Sequence, residues 1–171
     1  MDILTVAELK RLINKRDTGI LFCFGKSFIS KLIQANTRRD YRELVPSHIA
    51  LIIDGTFLYE STSQDSKLGN KTIPAGVRRY LLKDFYRLEK DKETEYSFFP
   101  CEVNRRELEK YVHYPYGKDI ILDFVLKHGS DGESRGLICS QYANKVTNIV
   151  DMPCPSPVDL YRKAKTMEEQ Q

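Results

Sequence analysis

The chain of 171 residues has no long apolar run, no Cys-x-x-Cys pair and little net charge. No stretch approaches the ~20 apolar residues that a bilayer-spanning helix needs. The opening MDILTVAELKR also lacks the basic end and apolar run of a secretory leader. A cytoplasmic protein with no transmembrane segment is therefore expected. The four cysteines (Cys23, Cys101, Cys139, Cys154) are widely and irregularly spaced, and no histidine stands near one at metal-ligand spacing. No metal and no other cofactor is expected. An even cysteine count would permit two disulfides, but that pattern belongs to secreted chains. A net charge of +3 with both signs interspersed makes no phosphate-binding face. The pairs Arg38-Arg39, Arg78-Arg79 and Arg105-Arg106 read as solvated faces, so nucleic acid is not an expected partner. There is no internal repeat and no linker, which points to one domain over residues 1–171.

What is present is enough for a core, with 41% of residues hydrophobic. Thr5-x-x-Glu8 resembles a capping box ahead of Val6, Leu9, Leu12 and Ile13, predicting a helix over 5–15. Ile20-Leu21-Phe22-Cys23-Phe24 reads as a buried strand ended by Gly25. Ser27 could cap a short helix carrying Phe28, Leu32 and Ile33. Residues 61–76 read as an exposed loop, and Leu81, Leu82, Phe85 and Leu88 as a helix. Residues 95–103 look like a strand interrupted at Pro100, and Asn104 with Glu107 like a capping box opening a helix through Val112. Helical spacing runs over 116–127, followed by a Gly/Ser/Asp loop over 129–136. A further helix starts at Cys139, with Ala143, Val146 and Val150 on one face. Ser156-Pro157 starts the last helix, and the tail from Thr166 reads as frayed. The expected class is α+β, a small antiparallel sheet packed against helices.

The hairpin at 48–60 carries the first chemical signal. A two-residue loop, Asp54-Gly55, would pair Ile53 with Thr56 and put His48 and Glu60 on opposite faces. A three-residue loop, Ile53-Asp54-Gly55, would pair Ile52 with Thr56 and set His48 directly against Glu60. The sequence permits both. In the second case the Cβ atoms stand only ~5 Å apart. A carboxylate on one ring nitrogen then fixes the tautomer and supports the imidazolium. Alone, the pair reads first as a solvated His and Glu at the open end of a hairpin.

Cys139 carries the second signal. It follows a Gly-containing loop and opens a helix, where free backbone N–H groups and the helix dipole favour a thiolate. The N–H groups of Cys139 and Ser140 could line an oxyanion hole. The bland alternative is a buried small apolar residue, which suits Cys23 and Cys101 better. Cys154, between two prolines, reads as structural.

SHIALIIDGTFLYES (47–61), followed much later by GLICSQYANKV (136–146), resembles the circularly permuted branch of the NlpC-type papain-like hydrolases, and its YiiX-like group most. The lecithin retinol acyltransferase-like enzymes are more distant relatives. In that branch the histidine strand comes first and the cysteine helix last, as here. TGILFCFG (18–25), GVRRYLLKDFY (76–86), YGKDIILDF (116–124) and SPVDLYR (156–162) are similar to further segments. The likeness spans 18–162 and leaves the N-terminal helix, 1–16, outside it. Asp17-Thr18-Gly19 departs from the Gly-Asp pair of the family's first strand. The resemblance implies Cys139 as nucleophile, His48 as base and Glu60 as the residue that orients it. It implies a hydrolase of amide, ester or thioester bonds acting on a peptide or acyl-bearing substrate. The competing expectation is a binding or scaffold protein on the same fold with its triad idle.

Overall fold

The computed structural model describes residues 1–25, 44–117 and 136–170. The helix expected after Ser27, nearly all of that expected over 116–127, and most of the 129–136 loop lie outside them.

The described residues form an α+β structure around a five-stranded antiparallel sheet. Its strands are β1 (Gly19–Phe24), β2 (His48–Ile53), β3 (Phe57–Thr62), β6 (Gly76–Leu81) and β7 (Glu95–Pro100), in the order β6-β3-β2-β1-β7. Two short strands, β4 (Ser66–Leu68) and β5 (Lys71–Ile73), make a separate hairpin. The helices are α1 (Val6–Leu12), α2 (Leu82–Glu89), α3 (Arg105–Lys110), α4 (Cys139–Thr147) and α5 (Pro157–Glu168). Among the described residues no helix is long and apolar enough to cross a membrane.

β1 is apolar at successive positions because both faces of the sheet are covered, which removes the alternation of a half-solvated strand. On one face Phe22, Phe24, Ile49, Leu51 and Tyr59 pack with Tyr142, Val146, Leu160 and Tyr161 from α4 and α5. The Tyr161 ring meets Phe22 and Phe24 edge-on, at 5.1 and 5.3 Å between centroids. On the other face Leu21, Ala50, Ile52 and Leu58 pack with Leu9 of α1 and with Leu82 and Phe85 of α2. Truncating one of these buried aromatic rings costs about 3–5 kcal/mol.

The central hairpin combines features of both sequence alternatives. Asp54 and Gly55 both have positive φ, 53° and 54°, and the Thr56 N–H returns to the Ile53 carbonyl at 3.1 Å. Thr56 is then an extra loop residue, so that Ile53 pairs with Phe57 and Ala50 with Glu60. His48 and Glu60 therefore share a face but sit diagonally, not directly opposite. Only glycine fits at position 55, where a Cβ would lie 1.8 Å from the Asn14 carbonyl oxygen.

Other boundaries also differ from expectation. Residues 61–76 are not an open loop: β3 continues to Thr62, and the β4–β5 hairpin turns at Gly69, whose φ is +59°. Leu81 ends a strand instead of starting a helix. β7 stops at Pro100, which lacks an N–H. The helices α1, α3 and α4 are shorter than their periodic patterns. α4 stops because Asn148 turns left-handed (φ 51°), before Val150. The tail is not frayed from Thr166, since α5 holds to Glu168 and the Glu169 N–H bonds the Lys165 carbonyl at 3.1 Å.

Candidate active site

His48 is the first residue of β2, at the margin of the sheet, with its side chain 29% exposed. Its Nε2 lies 2.7 Å from Glu60 Oε2. Glu60 is buried in mid-strand on β3, where an unpaired carboxylate would be very costly. Its other oxygen, Oε1, accepts from Arg78 Nε at 3.0 Å, Arg78 Nη2 at 2.7 Å and the Tyr80 hydroxyl at 2.7 Å. The register makes this possible: Glu60 faces Arg78 across β3–β6, and Tyr80 is two residues along the same face.

These partners decide the charge state of Glu60. Burial pushes its pKa up, but the hydrogen bond and charge of His48, the Arg78 guanidinium and the Tyr80 hydroxyl hold it far below the carboxylate range. Burial and the Glu60 charge push the Tyr80 hydroxyl far up, so it stays a donor. A carboxylate only accepts hydrogen bonds, so Nε2 of His48 must carry a proton. In the neutral ring, Nδ1 is then the basic nitrogen.

Cys139 acts on the same imidazole. Burial disfavours the charged ring, but the Cys139 sulfur, through its charge and a side-chain hydrogen bond, and the Glu60 carboxylate raise the His48 pKa from 6.5 to about 10. Cys139 is the first residue of α4, which packs on β2 and β3. The N–H groups of Cys139 and Ser140 precede the first intrahelical bond, from the Tyr142 N–H to the Ile138 carbonyl at 3.0 Å. The Ser140 hydroxyl is fully buried with no partner among the described residues.

The loop before α4 is stitched down on both sides. The Leu137 N–H bonds the Pro115 carbonyl at 3.0 Å, and the Ser61 hydroxyl donates to the Leu137 carbonyl at 2.5 Å. Ser61 directly follows Glu60, so one strand carries both the carboxylate and an anchor for the cysteine loop. Gly136 allows this approach, since a Cβ there would lie 2.6 Å from the Gly117 nitrogen. Burial, then the negative charge of Cys139, raises the Tyr116 pKa. Gln141 closes the helix start, accepting from the Ile138 N–H at 3.3 Å and donating to Cys154 Sγ at 3.2 Å. Cys154 thus has a tie to the site beyond its place between prolines.

Of the three sequence-predicted residues, His48 and Glu60 are joined by a direct hydrogen bond, and Cys139 stands at the start of a helix packed on the same two strands. The sequence holds no sign of Ser61. It offers Arg78 and Tyr80 only within the aromatic and basic segment 78–87, which reads as an amphipathic helix sooner than as a cleft wall, whereas Gly76–Leu81 is a strand. Arg78 was read as part of an exposed pair, yet it is 7% exposed, and only its neighbour Arg79 is solvated. The available signal was the carboxylate itself, because a Glu inside an apolar strand demands a buried cation. A cavity of about 700 Å³ reaches His48, Glu60, Arg78 and Tyr80, with Phe85 and Leu88 of α2 on its wall. Cys139 does not line it. Among the described residues no three His, Cys, Asp or Glu side chains gather as a metal site. No model of a known protein family matches the sequence, and no curated protein matches it either.

Proposed function

We propose that the chain is a cysteine hydrolase of the permuted NlpC-type papain-like fold, acting on an amide, ester or thioester of a peptide or acyl-bearing substrate. Cys139 is the nucleophile, His48 the base and then the acid, and Glu60 the group that orients His48. The observation that carries this reading is the 2.7 Å bond from His48 Nε2 to the buried Glu60 carboxylate, with Cys139 opening a helix that packs on the same two strands. The chain order, with the histidine strand early and the cysteine helix late, supports the permuted fold.

The chemistry is a two-step acyl transfer. The Cys139 thiolate attacks the carbonyl carbon while His48 holds the proton at Nδ1. The backbone N–H groups of Cys139 and Ser140 receive the developing oxyanion. His48 gives its proton to the leaving group, and a thioester remains on Cys139. His48 then takes a proton from water, which attacks that thioester and frees the acid and the thiol. Glu60 keeps Nε2 protonated throughout, so the ring always presents Nδ1 to the reaction.

The test is the pH dependence of iodoacetamide alkylation at each cysteine, in wild type and His48→Ala. Cys139 is expected to react at neutral pH faster than Cys23 or Cys101, and His48→Ala to remove that advantage. A screen of esters, thioesters and amides then identifies the bond. Equal rates at all three cysteines, unaffected by His48→Ala, would leave an idle binding protein as the reading.

A further inference from the structure

Glu60 uses its two oxygens for separate purposes. Among the described residues Oε2 serves His48 alone, while Oε1 takes the bonds from Arg78 and Tyr80. A carboxylate is a rigid plane, so fixing Oε1 aims Oε2.

Arg78 is in turn held by a different part of the fold. A guanidinium has five N–H donors, and all five have acceptors here. Nε and one Nη2 hydrogen go to Glu60, and the other Nη2 hydrogen goes to Ser66 Oγ at 2.8 Å. Nη1 donates to the carbonyls of Gln64 at 3.1 Å and of Ile73 at 3.3 Å, with Pro74 at 3.5 Å. Ser66 opens β4, Ile73 closes β5, and the other two flank the hairpin. The hairpin is small, with only Ile73 of its strand residues buried, so it adds little to the core. What it contributes is a ring of oxygens around a buried cation. Its Gln64 and Ser66 also line the cavity that reaches His48.

We infer that Arg78 and Tyr80 are positioning residues of the triad, and that the β4–β5 hairpin holds Arg78 in that role. The inference rests on the hydrolase reading for its functional meaning. Its physical content is narrower: the aim of Glu60 at His48 is set by groups outside the triad. Movement of the hairpin would free guanidinium donors, release Oε1 and loosen the His48–Glu60 bond. A ligand in the cavity touches Ser66 and Lys67 of the hairpin together with His48 and Glu60, which makes that coupling available to it.

The variants are Tyr80→Phe, Arg78→Lys and Ser66→Ala, with Arg79→Lys as the exposed neighbour control. Arg78→Lys keeps the charge but loses the fork. Three readouts are compared: ¹⁵N NMR of the His48 ring across pH, Cys139 alkylation by iodoacetamide at pH 7, and thermal unfolding. Arg78→Lys is expected to lower the pH at which His48 titrates and to mix its neutral tautomers, now confined to Nε2–H. Alkylation falls about tenfold or more, the loss expected for a hydrogen bond to a charged group. Tyr80→Phe gives a smaller change in the same direction, Ser66→Ala a smaller one again, and Arg79→Lys none. If Arg78→Lys does not fold, the other two variants carry the test. Unchanged His48 titration and tautomer with only a lower Tm would make the network purely structural and overturn the inference. The hydrolase reading fails separately, when His48→Ala leaves wild-type Cys139 alkylation unaltered.

Discussion

Cys139→Ser tests the pairing of sulfur and imidazole without disturbing the packing around it. Serine is nearly the same size and keeps a hydrogen-bonding group, but it carries no negative charge at any pH of interest. The charge of Cys139 is the largest of the influences that raise His48, ahead of its hydrogen bond and of Glu60, and it works against burial. Removing it is expected to bring the His48 titration down from about 10 toward the ordinary 6.5. The full interval between those values corresponds to about 5 kcal/mol between the two protonation states, enough to be unmistakable. Cys139→Ala should lower it further, because the hydrogen bond is lost as well. The assay is ¹⁵N NMR of the imidazole across pH 5–11, with His48→Gln assigning the signal among only three histidines. The unperturbed protein should show a charged ring at pH 8, and the serine variant a neutral ring of the Nε2–H tautomer. If wild type and Cys139→Ser titrate together, the sulfur does not act on the ring and the proposed pair does not exist.

Glu60 has a folded-state pKa below its ordinary 4.5, so its ionised form contributes stability above that pH, and this is lost as pH falls. The stability gap between wild type and Glu60→Gln in urea should therefore be largest near pH 7 and narrow toward pH 3; a constant gap would refute the assignment. Arg78→Met leaves Glu60 buried with His48 as its remaining cationic partner and should cost about 3–5 kcal/mol in chemical denaturation. Arg79→Met, at an exposed pair with Glu109, should stay within about 1 kcal/mol. Gly136→Ala puts a methyl group against backbone at Gly117 and Pro115, which cannot swing aside. It should push the cysteine loop off β3, lower the His48 titration and reduce Tm; an unchanged titration would show that the loop has slack.

The local rules were legible because they act over a few residues. Thr5 and Glu8 close a capping box, Asn104 caps α3, and Pro157 starts α5 as proline at a first helical position should. The apolar runs at 20–24 and 49–53 marked the central strands, and the Asp54-Gly55 turn marked the hairpin. Local chemistry only raised suspicion at His48, Glu60 and Cys139, and it was their order along the chain, through the family resemblance, that singled them out. The sequence could not choose between the loops. The structure set a left-handed two-residue turn plus one extra residue, and the pair became diagonal. It could not show Arg78 buried either, because an Arg-Arg pair in isolation looks like solvated surface. Burial of that side chain depends on β6 lying beside β3 in one register, and on a distant hairpin supplying its oxygens. The sequence by itself thus determined where helices start, which strands are central and which side chains carry reactive groups. Only the tertiary structure decided which face each group shares and what surrounds Glu60, because strand order and register bring together residues that no local rule connects.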